Sequence, residues 1–336
     1  VLQSIASPTL WWLTIGAVVA LLVVDFVATR RPHEVSMREA IGWSAFYVAL
    51  PLMFGVYVWS AHGSDRGLEY YTGYLVEKTL SVDNLFVFML LLSAFAVPKV
   101  LQQRVLLYGI VGALVLRGIF IALGAAALDR FDWVFLVFGA ILLLTGLKLL
   151  RDAVSGHDHE VDVDDMRIVR LTRRVMPVTD DYEGTKLVVR RDGRRWLTPL
   201  ALVVIAVFAT DVVFAVDSVP AVYGITGDPY LVFATNAFAL LGLRALYFVL
   251  QGALTKLVHL SYGLAAILGF IGVKLVLHWA HEVWPEVPSV PTLASLGVIL
   301  AILAVTTTTS LVASRRTDAR NEQAATERSE SARTNA

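Results

Sequence analysis

The sequence predicts an all-α membrane protein of nine transmembrane helices, and three observations lead there. Hydrophobic residues make up 57% of the 336 and charged residues 17%, with a mean hydropathy of +0.68; a soluble globular chain is about 45–50% apolar and about 25% charged. Apolar runs of the roughly 20 residues that a bilayer crossing needs recur along the whole chain. A pair of carboxylates six residues apart also recurs inside two of those runs, as EKTLSVDN (Glu77 to Asn84) and DVVFAVDS (Asp211 to Ser218).

The runs and the charges between them set the topology. The first, 8–28, is followed by Arg30, Arg31 and Arg38, and the second, 40–59, by Arg66 alone. The third, 72–97, precedes Lys99 and Arg104, and the fourth, 104–127, is followed by Arg130. After the fifth, 132–150, come Arg151, Arg190, Arg191, Arg194 and Arg195. The sixth, 199–221, has no basic residue after it; the seventh, 229–252, has Lys256. The eighth, 259–281, again has none, and the ninth, 290–313, leads into Arg315, Arg316 and Arg320. Lys and Arg mark cytoplasmic segments, so the N-terminus is expected outside and the C-terminus inside. The start of the chain lacks a basic n-region and a clear small-residue cleavage site, so the first apolar run is expected to stay in the mature protein.

This gives helices one to five over 1–150, a cytoplasmic hydrophilic loop over 151–198, helices six to nine over 199–313 and a disordered cytoplasmic tail over 314–336, polar from Thr317 onward. The loop carries an acidic run with histidines, HDHEVDVDD (His157 to Asp165), which could sense metal or be a solvated acidic stretch. Within KLVVRRDGRRWLT (Lys186 to Thr198), Asp192-Gly193 reads as a hairpin turn.

Spans three to five resemble spans six to eight. Glu77 and Asp83 align with Asp211 and Asp217 at an offset of 134. LRGIF (Leu116 to Phe120) resembles LRALY (Leu243 to Tyr247) at 127, and AILLLTGLKL (Ala140 to Leu149) resembles AILGFIGVKL (Ala266 to Leu275) at 126. Matching spans run in opposite directions, so the expectation is an inverted 3+3 repeat with a binding site at the midplane between its halves.

The chemistry follows from the residue types. Cysteine is absent, which leaves no disulfide, thiolate ligand or thiol redox chemistry. The net charge of zero gives no reason to expect a nucleic-acid partner. Ionised groups at bilayer depth are costly and face cavities or partners. Asp83, Asp211 and Asp217, with Glu77, Asn84 and Ser218, form an all-oxygen set suited to a hard divalent cation. Residues six apart on a helix lie about 120° apart and about 9 Å along it, so one ion is expected to take acids from both repeats. Repeat symmetry pairs Asp83 with Asp217, whereas centring the spans puts Asp211 near the depth of Asp83. Pro220 removes a helical donor and leaves the Val216 carbonyl as a further ligand. Asn236 is either another ligand or an interhelical hydrogen bond. Arg117 and Arg244 pair with surplus carboxylates or form part of a gate. Lys274, placed towards the outer side, calls for a partner, and Asp25 reads as interfacial. The competing interpretation is that the acids pair with Arg117, Arg244 or Lys78 and only hold the bundle together.

At EKTLSVDNLFVF (Glu77 to Phe88), TDVVFAVDSVPA (Thr210 to Ala221) and TGDPYLVFATNAFALLGLRALYF (Thr226 to Phe248) the chain resembles the TerC/Alx family of bacterial membrane proteins. With the Trp196–Pro199 lead into span six, the resemblance covers about 10–315. It implies a multi-pass protein of the bacterial plasma (inner) membrane, akin to LysE-type transporters, that exports Mn²⁺ or another hard divalent ion such as Ca²⁺ and binds no permanent cofactor. It implies ion binding by Asp83, Asn84, Asp211 and Asp217, with Glu77 and Asn236 as neighbours, and associates the family with metal stress and tellurite resistance. No Walker-type loop is present for ATP-driven transport, and the absence of a Gly-x-Gly-Asp signature argues against an intramembrane aspartyl protease. The remaining alternative is a non-transporting partner that supplies metal to exported proteins, with loop 151–198 as its contact surface.

Overall fold

The computed structural model describes residues 4–28, 35–155, 166–191, 193–251 and 259–334, with side chains in the last helix to Arg315. Among these residues, eleven helices and one hairpin follow in the order α1 (Pro8–Ala28), α2 (Met37–His62), α3 (Ser64–Ala94), α4 (Lys99–Arg130), α5 (Val134–Ser155), α6 (Arg167–Val175), β1 (Val188–Arg191), β2 (Arg194–Leu197), α7 (Pro199–Tyr223), α8 (Pro229–Leu241), α9 (Leu243–Leu250), α10 (Leu260–Val283) and α11 (Thr292–Thr334). Seven of the helices are long and apolar enough to cross a membrane, or eight crossings if α8 and α9 are one span bent by 46°. The third expected span falls in α3, where Glu77, Lys78 and Asp83 lower the apolar content below that of a self-evident span.

Burial explains why α3 tolerates those charges. Three hydrophobic clusters fill the bundle, and α3 contributes to each: Leu85 and Phe88 beside Val105 and Val203, Val76 and Leu80 beside Leu142 and Ile271, and Tyr70 and Tyr74 beside Tyr230 and Phe238. A helix enclosed by other helices meets protein on every side, so its polar groups find partners rather than lipid. The outer helices are the reverse: Trp12, Leu13, Val56, Val115, Leu123, Leu144 and Leu147 are exposed, the large apolar surface expected of a bilayer-facing shell.

Local sequence fixes the starts of the two helices that matter most. Thr198 caps α7 by accepting from the Ala201 amide at 3.3 Å, and Pro199 follows where a missing N–H costs nothing. Asp228 caps α8 through the Tyr230 amide at 2.9 Å, and its other oxygen accepts from the Ile5 amide at 2.7 Å. The expected hairpin is present, with Val188 opposite Leu197 and Arg191 opposite Arg194, and Gly193 takes a φ of +76°. Asp192 and the His157–Asp165 run lie outside the described residues. Tyr182 clamps the loop to the end of α3 by donating to the Phe95 carbonyl at 2.8 Å, and burial pushes its phenol up to about 12, far from any pH at which the donor would be lost.

Pro220 lies in the last turn of α7, and the helix runs on to Tyr223; its missing N–H still withholds the i→i−4 bond from the Val216 carbonyl. A bend falls at Gly242, between α8 and α9. The tail expected to be disordered continues α11 as helix to Thr334; its Ala, Arg, Glu and Gln residues are good helix formers, and extending a helix is far easier than starting one.

The helices α5 and α10 meet at glycines. A Cβ on Gly139 would lie 2.9 Å from the Gly272 carbonyl oxygen, one on Gly272 would lie 3.0 Å from the Gly139 carbonyl, and one on Gly146 would lie 3.1 Å from that of Ala265. Backbones this close are the usual result of small residues at membrane helix contacts. Gly272→Val is expected to force the pair apart and cost about 1–3 kcal/mol, read as a lower unfolding temperature in detergent. Gly118→Ala, at a position with nothing within 4 Å, should be neutral or slightly stabilising.

Candidate functional site

The repeated carboxylates converge on one arginine. Helix α3 presents Glu77, Ser81 and Asn84 on one stripe, four and three residues apart, and α7 presents Asp211 and Ser218 seven apart; all five are buried. Arg117 of α4, 1% exposed, lies between the two helices. Its Nη1 donates to Glu77 Oε1 and to Asn236 Oδ1, the latter at 3.0 Å; its Nη2 donates to Asp211 Oδ1 at 3.3 Å. With its amide oriented to satisfy both ends, Asn84 accepts from Arg117 Nη2 at 3.1 Å and donates to the Leu80 carbonyl at 3.1 Å. Asn236 is itself held by its Nδ2 bond to the Val232 carbonyl at 3.0 Å. Residues from α3, α4, α7 and α8 thus share one buried polar centre.

That centre is incompletely satisfied. Glu77 Oε2, Asp211 Oδ2, Ser81 Oγ and Ser218 Oγ are buried without a hydrogen-bond partner among the described residues. Buried polar atoms nearly always have partners, and an exception calls for an explanation such as a bound ion or water. Asp83 and Asp217 are only partly buried. Asp217 lies within electrostatic reach of both Arg117 and Asp83. Glu77 accordingly associates with Asp211 and Asp83 with Asp217, the pairs that share the offset of 134. Among the described residues no three His, Asp or Glu side chains are grouped closely enough to hold a metal ion. The guanidinium occupies the space between Glu77 and Asp211.

Arg244 does not join this centre. It forms a separate buried pair with Asp25 of α1, through Nε to Oδ2 at 3.0 Å and Nη2 to Oδ1 at 2.5 Å, while Nη1 donates to Gln103 Oε1 at 3.1 Å. Asp25, at the inner end of α1, is 3% exposed: an acid at a helix end can fold inward where a fork of donors awaits it. Lys78, next to Glu77, turns away and donates to the Ala239 carbonyl of α8 at 3.3 Å, just before the bend. A proline-free break leaves carbonyls without helical partners, and an ammonium is an effective cap for them. Neither role had a sequence signal beyond the rarity of charges in apolar runs.

At the ends of α3, α4, α5, α7, α10 and α11 a cavity of about 470 Å³ is lined by Glu69, Asp129, Asp132, Glu282, Lys274 and His278, among others. Lys274 thus has Glu69 within electrostatic reach, the partner its position called for. Glu69 is also held by Arg66 Nη1 at 2.9 Å and by the Thr226 hydroxyl at 2.7 Å.

Comparison with known proteins adds the following. The model of the Integral membrane protein TerC family matches residues 62–318. An uncharacterized membrane protein of Myxococcus xanthus is 43% identical over 84% of this chain and 88% of its own length. One from Mycobacterium tuberculosis is 46% identical over 82% of this chain and 70% of its own length. Alx of Escherichia coli, named there as a candidate membrane-bound redox modulator, is 41% identical over 82% of this chain and 88% of its own length. No solved structure matches.

Proposed function

Starting from the fact that this chain belongs to the TerC family of integral membrane proteins, we propose that it is a secondary transporter rather than an enzyme. Its cargo is a hard divalent cation, Mn²⁺ first and Ca²⁺ next, exported across the bacterial inner membrane through the buried carboxylate centre. The observation that carries this reading is the set of buried oxygens on Glu77, Asp211, Ser81 and Ser218 without a hydrogen-bond partner among the described residues. Charge points the same way. Four carboxylates, Glu77, Asp83, Asp211 and Asp217, gather around the single guanidinium of Arg117 while Lys78 turns to α8; that excess of negative charge favours a cation.

The proposed architecture is nine spans, with α3 as the enclosed third and α8–α9 as one bent span, the N-terminus outside and the two halves inverted. The glycine seam supports the inversion. Gly139 and Ala265 are repeat mates at the offset of 126, as are Gly146 and Gly272. Contact of Gly139 with Gly272 therefore maps onto contact of Ala265 with Gly146, and both contacts occur. That reciprocity is the property of an isologous, two-fold interface, and the partner numbers run in opposite directions, as in an antiparallel pair. The redox role in the name of the Escherichia coli relative would here have to work without a thiol, because the sequence has no cysteine.

The test is Mn²⁺ uptake into proteoliposomes, with and without a proton gradient. The native chain is expected to move the ion, and Asp83→Asn or Asp217→Asn to slow it at least about tenfold, since each removes a charge from an oxygen ligand set. A folded, inserted native chain that moves no divalent ion under either condition would refute the reading.

A further inference from the structure

Every partner of Arg117 is a group that the cargo would also seek. Two carboxylate oxygens and two amide oxygens, from α3, α7 and α8, surround its two terminal nitrogens. The guanidinium is anchored on α4 and is fully buried, so its charge is fixed to the protein yet sits among mobile-ion ligands. A side chain this far from solvent needs its counter-charges as much as they need it. The arrangement differs from that of Arg244, whose carboxylate fork is closed on both oxygens. Around Arg117 the second oxygen of each carboxylate remains open.

We propose that Arg117 is the specificity-determining residue of the site: a tethered cation that holds Glu77 and Asp211 until a divalent ion displaces it. This rests on the reading of the centre as a cation site. The ion binds first at Oε2 of Glu77 and Oδ2 of Asp211, the two buried oxygens that the guanidinium leaves unbonded. A doubly charged ion offers the two carboxylates more than the singly charged arginine does and wins the exchange. Na⁺ or K⁺ carries no more charge than the group it must displace, and has no covalent tether to raise its local concentration, so it loses. The displaced guanidinium stays within reach of Asp217 and, when the ion leaves, returns to the pair. Arg117 in this way excludes the abundant monovalent ions without any size filter, and prevents the carboxylates from standing bare between cycles.

The experiment is ion binding to the purified full-length protein, with Mn²⁺, Ca²⁺, Na⁺ and K⁺ each titrated against its unfolding temperature, for the native chain, Arg117→Gln and Arg117→Lys. The native chain should respond to the divalent ions alone. Arg117→Gln removes the competitor and should bind Mn²⁺ at least tenfold more tightly while gaining a response to Na⁺ or K⁺. Arg117→Lys keeps the charge but can no longer span four oxygens, and should tighten Mn²⁺ binding several-fold without admitting Na⁺. If Arg117→Gln does not fold without metal, Arg117→Lys carries the comparison. Unchanged Mn²⁺ affinity and unchanged selectivity in the folded variants overturn the proposal while leaving the cation site standing. A native chain that binds no divalent ion removes the site itself. A variant that is merely less stable, equally so in every salt, assigns Arg117 a structural role only.

Discussion

Asp211→Asn is expected to bind Mn²⁺ about 10- to 150-fold more weakly than the native protein. Asparagine keeps the shape of the side chain and one acceptor for Arg117 Nη2, but it removes the charge and turns the open Oδ2 into an amide donor or a second neutral group. Loss of one charged contact costs about 1.5–3 kcal/mol, and each 1.4 kcal/mol is tenfold in affinity. The bundle should survive, because Arg117 retains Glu77, Asn84 and Asn236. Direct binding of Mn²⁺ to the purified variant decides the matter. Native affinity in Asp211→Asn would mean that the α7 carboxylate is a structural counter-ion, and that the ion site must be sought around Asp83 and Asp217 alone.

Arg244→Met should be the most damaging single change to stability, at about 3–5 kcal/mol. It takes the guanidinium away from Asp25, 3% exposed, and leaves Gln103 Oε1 without its Arg244 donor. The cost arises from a buried carboxylate that has lost its counter-charge more than from the pair itself, so Asp25→Leu combined with Arg244→Met should recover most of it. Thermal unfolding of the two single variants and the double variant gives the coupling directly. A double variant no more stable than Arg244→Met would show that the arginine holds α9 through Gln103 or through its stem. Neither change should alter ion selectivity, because the pair lies apart from the Arg117 centre.

What could be read from the sequence, and what could not, divides along a physical line. The apolar runs and the hairpin at Gly193 are local: among the described residues seven of the runs stand as helices long and apolar enough to cross a membrane, and the hairpin forms where its residues demand. The carboxylates also declared themselves, since charge inside an apolar run is rare enough to stand out. Their partners did not: that Arg117 bridges Glu77 and Asp211 while Arg244 turns to Asp25 depends on how four helices pack, and LRGIF and LRALY look alike in sequence. The bend at Gly242 was hidden for a similar reason. Glycine is common in such helices, and only the approach of Tyr47, whose Cβ would lie 2.9 Å from a Cβ at that position, shows why this one is needed. Pro220 was the more conspicuous residue and the less consequential one.

Consecutive residues of α3 serve two separate masters. Glu77 reaches into the Arg117 centre, and Lys78, on the neighbouring face, holds the last carbonyls of α8 beside the bend. A helix is stiff along its axis, so a shift of α3 that loosens Glu77 also shifts the ammonium at Ala239. Beyond the bend, α9 carries Arg244 and through it the end of α1. The bundle therefore contains a linkage in the engineer's sense: a crank at Glu77–Lys78, an elbow at Gly242, and a connecting rod that ends on the N-terminal helix some 219 residues away in sequence. If an ion enters or leaves the proposed site, this chain of contacts gears the event to α1, which lies outside spans three to eight.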